Sequence, residues 1–70
     1  MARRYDSEAA RKRILSASVR LFLERGYYGT TMAAILKNAD VSASTFQNIF
    51  GTKDGVMYEL MKLMFSGQLS

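Results

Sequence analysis

Between Ser42 and Phe50 the chain reads SASTFQNIF, and at about 100° per residue a helix there gathers Phe46, Ile49 and Phe50 on one side. Ser44, Gln47 and Asn48 point the other way. An amide both donates and accepts, so it can pair bidentately with the N6 and N7 edge of adenine, and a short hydroxyl reaches a phosphate or a base edge. The chemistry on offer is hydrogen-bonded recognition of DNA.

Little else points to catalysis. The chain has no His and no Cys, which removes the usual general base, the commonest metal ligand and any thiolate. Its six carboxylates are scattered without an obvious pairing. We expect no catalytic residue, no metal and no cofactor.

The elements that must position the amide face can be read from their caps. Ser42 is a good N-cap, and Val41 before it can brace Phe46 at the fourth helical position. Thr31 caps a preceding helix whose Met32, Ile35, Leu36 and Ala39 fall at helical spacing. From Thr31 to Lys53 the outline is two short helices joined by a tight turn, a helix-turn-helix.

Before it, the pattern is helical from about Ser7, a candidate cap, with Glu8 in the first turn and Ile14, Ala17, Ser18, Leu21 and Phe22 on one face. Arg25 suits the negative end of the helix, and Gly26 can close it. Tyr27 is expected to pack beneath the helices. After Phe50, Gly51 ends the third helix and Thr52 caps a fourth, with Asp54 in its first turn. Apolar residues of this fourth helix cover far more than the roughly 100° stripe that one core requires. Val56, Leu60, Leu63 and Met64 can face the bundle, which leaves Met57, Tyr58, Met61 and Phe65 as a surface for a partner.

The fold expected is therefore all-α: a three-helix bundle with a homeodomain-like helix-turn-helix, plus a fourth connecting helix. Residues 1–6 read as a flexible basic arm carrying Arg3 and Arg4, residues 7–52 as the bundle, and residues 53–70 as the fourth helix leading toward a further domain. Seventy residues make at most one small domain, which buries about 60% of its unfolded surface.

The formal charge is +4, and Arg3, Arg4, Arg11, Lys12, Arg13, Arg20 and Arg25 all lie in the first 25 residues. That bias favours a polyanionic partner. No apolar run approaches the roughly 20 residues that span a bilayer, and no leader pattern follows the basic start. A cytoplasmic location is expected.

With these elements placed, the chain resembles the DNA-binding domain of TetR-family transcriptional regulators. The residues that carry the resemblance are RILSASVRLFLERGYYGTTM, then AILKNADVSASTFQNIF, then TKDGVMYEL, about Arg13 to Leu60. The resemblance implies a ligand-responsive repressor with a larger helical domain that binds an inducer and forms a dimer on a palindromic operator. It also implies phosphate contacts from Thr31 and Lys53, each at a helix N-terminus where free N–H groups favour an anion. Ser42 and Thr45 match recognition-helix positions that meet backbone or bases. Ala43, Ser44, Gln47 and Asn48 stand where the family varies its base contacts or keeps backbone contacts.

Several residues depart from the family pattern. Leu36 and Asp40 replace a small residue and a glycine, Gln47 replaces a common tyrosine, Ile49 replaces a frequent histidine or tyrosine, and Ala33 and Ala34 lack frequent charges. They leave phosphate affinity and target sequence open. Two other classes of function compete: a helical protein-interaction module using the fourth helix, through self-association or a further domain, and attachment of the basic first helix to a membrane surface. The first helix is better explained by a core, so no membrane partner is expected.

Overall fold

A computed structural model describes residues 7–67, in which four helices follow one another: α1 (Ser7–Arg25), α2 (Met32–Ala39), α3 (Ala43–Ile49) and α4 (Lys53–Phe65). No strand occurs among the described residues. The basic arm expected at residues 1–6 and the last three residues of the tail lie outside them.

Each boundary has a local cause. Gly26 takes φ 80°, a conformation costly for other residues, and its N–H reaches the Phe22 carbonyl at 2.8 Å to close α1. Thr31, Ser42 and Thr52 are all extended, and their hydroxyls accept from the N–H groups of Ala34, Thr45 and Gly55, so three helix starts are satisfied in the same way. Ser7 is itself helical rather than the residue that caps α1. A Cβ at Gly55 would lie 2.5 Å from the Phe50 carbonyl oxygen, so the α3–α4 junction closes only around a glycine.

Ile14, Ile35, Phe46 and Val56 are each 0% exposed, one from every helix. They meet in one core with Leu15, Ala17, Leu21, Ala39 and Leu60. α1 packs on all three of the others. Val41 is half-buried against this core just before α3, where the brace to Phe46 was expected. The first half of α4 belongs to the same core, so packing does not break at residue 52.

The second half of α4 corrects the expected facing. Val56 and Leu60 are buried and Leu63 half-buried, but Met64 is 67% exposed and turns away from the core. Met57, expected to be uncovered, is half-buried. The uncovered set is Tyr58, Met61, Met64 and Phe65: Tyr58, Met61 and Phe65 lie on the side of the helix away from Val56, Leu60 and Leu63, and Met64 follows Leu63, the last residue of α4 that packs on the core.

Candidate nucleic-acid interface

The turn between α2 and α3 fixes how the amide face is presented. Asp40 occupies the left-handed region at φ 57°, ψ 50°, the one non-glycine residue with positive φ among those described. Its N–H donates to the Lys37 carbonyl at 3.3 Å, and the Val41 N–H donates to the Leu36 carbonyl at 3.2 Å. These are the paired bonds of a Schellman ending, and they normally favour glycine where Asp40 stands. The short polar side chain of Asp makes it one of the few substitutes.

Ser42 then starts α3. Its Oγ accepts from the Thr45 N–H at 3.1 Å, donates to Thr45 Oγ1 at 3.0 Å and lies 3.3 Å from Ser44 Oγ. Ser42, Ala43, Ser44, Gln47 and Asn48 are exposed and Thr45 is half-buried. The carboxamides of Gln47 and Asn48 make no hydrogen bond to other described residues, so both keep their donors and acceptors for something outside. Ala43, Ser44, Gln47 and Asn48 form one continuous solvent face, while Ser42 and Thr45 are engaged in the cap.

A second cluster stands where α1 ends and where α2 and α4 begin. Lys53 Nζ donates to the carbonyls of Tyr27 and Thr30, both at 2.9 Å, and lies 4.4 Å from the centre of the Tyr27 ring. The Tyr27 hydroxyl is hydrogen-bonded to Asp54, and its ring packs at 5.4 Å from that of Phe22. Tyr27 is thus half-buried at this corner rather than beneath the bundle. Thr30 is buried, with Oγ1 2.8 Å from the Gly26 carbonyl and 3.2 Å from that of Leu21, and so ties the loop to the end of α1. The exposed Thr31 hydroxyl accepts from the Ala34 N–H at 3.1 Å. Thr30 and Asp54 carry no motif that marks them for these roles. Only the fold, which brings residues 27–30 against 53–54, makes them partners.

The basic residues of α1 do not form one free stripe. Arg11 forms an ion pair with Glu59 of α4. Arg13 Nε donates to the Ala39 carbonyl at 2.9 Å and its Nη2 to the Asp40 carbonyl at 3.2 Å. Arg20 Nη2 donates to Asn38 Oδ1 at 3.0 Å, while Asn38 Nδ2 donates to the Ala34 carbonyl at 2.8 Å. Three of the charges clustered in the sequence are therefore engaged by other parts of the chain, although Arg13 and Arg20 remain exposed. Lys12, Arg25 and Lys37 are exposed and form no ion pair with other described residues. Among the described residues no helix is long and apolar enough to cross a membrane.

The family model for bacterial regulatory proteins of the tetR family matches residues 14–60. The chain is 40% identical over 55 residues to the HTH-type transcriptional regulator HbdR of Aromatoleum sp. (strain CIB), an alignment that covers 79% of this chain and 24% of that protein. It is 36% identical over 64 residues to the regulator PksA of Bacillus subtilis (strain 168), with 91% of this chain and 31% of PksA covered. It is 33% identical over 55 residues to the regulator BetI of Burkholderia thailandensis, with 79% and 28% covered. The chain spans about a quarter to a third of the length of these curated relatives. No solved structure gives a significant match.

Proposed function

The chain belongs to the TetR family of bacterial regulatory proteins, and from that membership we propose that it binds double-stranded DNA sequence-specifically as the reading head of a transcriptional regulator. The observation that carries this reading is the α2–turn–α3 unit: a capped recognition helix, fixed by a left-handed turn, that presents on its solvent face two carboxamides with no hydrogen bond to other described residues. α3 enters the major groove and α2 crosses the backbone.

Ala43, Ser44, Gln47 and Asn48 face the base edges, with the two carboxamides as the donors and acceptors that discriminate. Ser42 and Thr45, already engaged in the cap, border that face and meet backbone or bases. Thr31 and Lys53 hold phosphate: Thr31 beside the free N–H groups of the α2 start, Lys53 through the third hydrogen of an ammonium whose other two serve the carbonyls of Tyr27 and Thr30. At the level of the whole regulator, the action is occlusion of a promoter by a dimer on a palindromic operator, released by an inducer. Residues 7–52 carry the DNA-binding unit, and the segment 53–70, which opens with α4, leads onward to the rest of a regulator. The family, rather than any side chain of this chain, supports the last two statements.

One observation favours a second role for α4. Tyr58, Met61, Met64 and Phe65 are 65%, 47%, 67% and 86% exposed, more apolar surface than one short helix segment leaves uncovered without a partner. Beside them an apolar groove between α1 and α4 is lined by Leu15, Val19, Leu23, Leu60 and Leu63. We assign this side, with the half-buried Met57 at its edge, to contact with a second copy or with the rest of a regulator.

The deciding experiment is selection of bound duplexes from a random pool, followed by titration of the winner at several salt concentrations. A recovered motif bound with steep salt dependence supports DNA reading. Absence of any enriched sequence, with α4-dependent capture of protein, supports an interaction module instead.

A further inference from the structure

We infer that Arg13, on α1 and outside the exposed face of α3, is a positioning residue for DNA reading: its guanidinium pins the α2–α3 turn and so sets the attitude of the recognition helix. The inference rests on the reading of α3 as the helix that meets DNA.

The turn is short of internal support. Its Schellman bonds use the carbonyls of Leu36 and Lys37, and no backbone N–H among the described residues reaches the carbonyls of Ala39 or Asp40. Asp40 also holds a left-handed conformation that non-glycine residues resist, so the backbone there has a standing tendency to relax. Any such relaxation changes the angle between α2 and α3, because Asp40 and Val41 are the only residues between Ala39 and the cap Ser42.

Arg13 supplies what is lacking. Nε and Nη2 donate to two consecutive carbonyls, at 2.9 and 3.2 Å, so one planar fork holds both ends of the left-handed residue. The fork stands on firm ground, since the next residue, Ile14, is fully buried and Ala17 one turn on is 3% exposed. The cation also lies at the C-terminus of α2, where the helix dipole favours it, and an arginine stays charged at every working pH. The same side chain borders a cleft with Val41, Ser42 and Thr45 at the start of α3. The neighbouring arginines lack this geometry: Arg11 pairs with Glu59 and Arg20 with the Asn38 side chain, and neither reaches a carbonyl of the turn.

The test compares Arg13→Ala, Arg13→Lys and Arg20→Ala with the parent chain. In the free protein, Arg13→Ala should speed hydrogen exchange at the Asp40 and Val41 amides, relative to Ile35, on the order of tenfold, while Arg20→Ala leaves that ratio unchanged. On the duplex recovered by selection, Arg13→Ala should lose affinity on the order of tenfold. Its salt slope and its affinity for a scrambled duplex should stay at the parent's values, because no phosphate contact is lost. Arg13→Lys keeps the charge and the aliphatic stem but not the fork, and should remain impaired.

A salt slope lowered by about one would make Arg13 a phosphate ligand and overturn the inference. Full recovery by lysine, or a loss of stability without selective exchange at the turn, would overturn it as well. If the parent chain enriches no duplex, the DNA reading itself fails; if the parent enriches one and Arg13→Ala binds it equally well, only the role of Arg13 falls.

Discussion

Lys53 Nζ stands 2.9 Å from the carbonyl oxygen of Thr30, so the first residue of α4 is hydrogen-bonded to the residue that precedes the cap of α2. This bond and its twin to Tyr27 make Lys53 part of the corner that orients Thr31. Lys53→Ala should therefore do two things. Loss of charge-assisted bonds should lower stability by about 1.5 kcal/mol. Loss of the third donor should weaken binding to every duplex alike and reduce the salt slope by about one. A variant that is destabilised yet keeps its salt slope would confine Lys53 to holding the turn.

Asp40 stands where the Schellman ending suits glycine. Asp40→Gly should raise stability by about 0.5 kcal/mol, since the gain from relieving a left-handed L-residue exceeds the greater freedom of glycine in the unfolded chain. Urea denaturation would show a higher midpoint with an unchanged slope. A lower midpoint would mean that the Asp40 carboxylate contributes something that the conformation alone does not reveal.

Ser18 is 0% exposed, and its hydroxyl has no hydrogen-bond partner among the described residues. Burying a polar atom without a partner is costly, and alanine is the better helix former. Ser18→Ala should stabilise the bundle by about 1 kcal/mol, read as a rise in Tm. A fall would show that the hydroxyl has a partner in solution, such as a buried water.

Caps, turns and core were legible because each depends on neighbours in the chain. Thr31, Ser42 and Thr52 cap where hydroxyl spacing places them, Gly26 closes α1, and Ile14, Ile35 and Phe46 are buried where helical spacing puts them. The use of the basic residues was not legible. Nothing local distinguishes Arg13, held on two backbone carbonyls, from Lys12 beside it, and both are exposed; the difference appears only when α2 packs across α1. The facing of Met57 and Met64 was misread for a related reason. Helical spacing groups residues by angle, but how far along α4 an angle stays covered depends on what packs against it, and among the described residues none after Leu63 packs on the core.

The exposed end of α4 supports a prediction about association. Tyr58, Met61, Met64 and Phe65 present adaptable, adhesive apolar surface. The chain should self-associate at high concentration, and Met61→Lys should suppress association while leaving the helical circular dichroism and Tm close to the parent's, since Met61 lies outside the core. Sedimentation that shows a strict monomer for the parent at millimolar concentration would remove self-association from the roles of α4.

The sharpest expectation concerns what α3 reads. Gln47 and Asn48 are adjacent, exposed and free of hydrogen bonds to other described residues, so neither must break an internal bond to meet a base. An amide pairs best with adenine, and at least one A·T pair should be specified in each half-site. Each such contact discriminates by roughly 1–3 kcal/mol, so Gln47→Ala should relax preference at one position and leave the others intact. Asn48→Ala should act at a different position, because adjacent helical residues diverge by about 100° and cannot address the same base edge. One copy on a half-site should bind weakly, and two copies joined by a linker that spans both half-sites should bind far more tightly through effective concentration. Duplex selection with each variant is the measurement. If both variants recover the parent motif, the carboxamides read nothing, and discrimination must come from Ala43, Ser44, Thr45 and the deformability of the DNA.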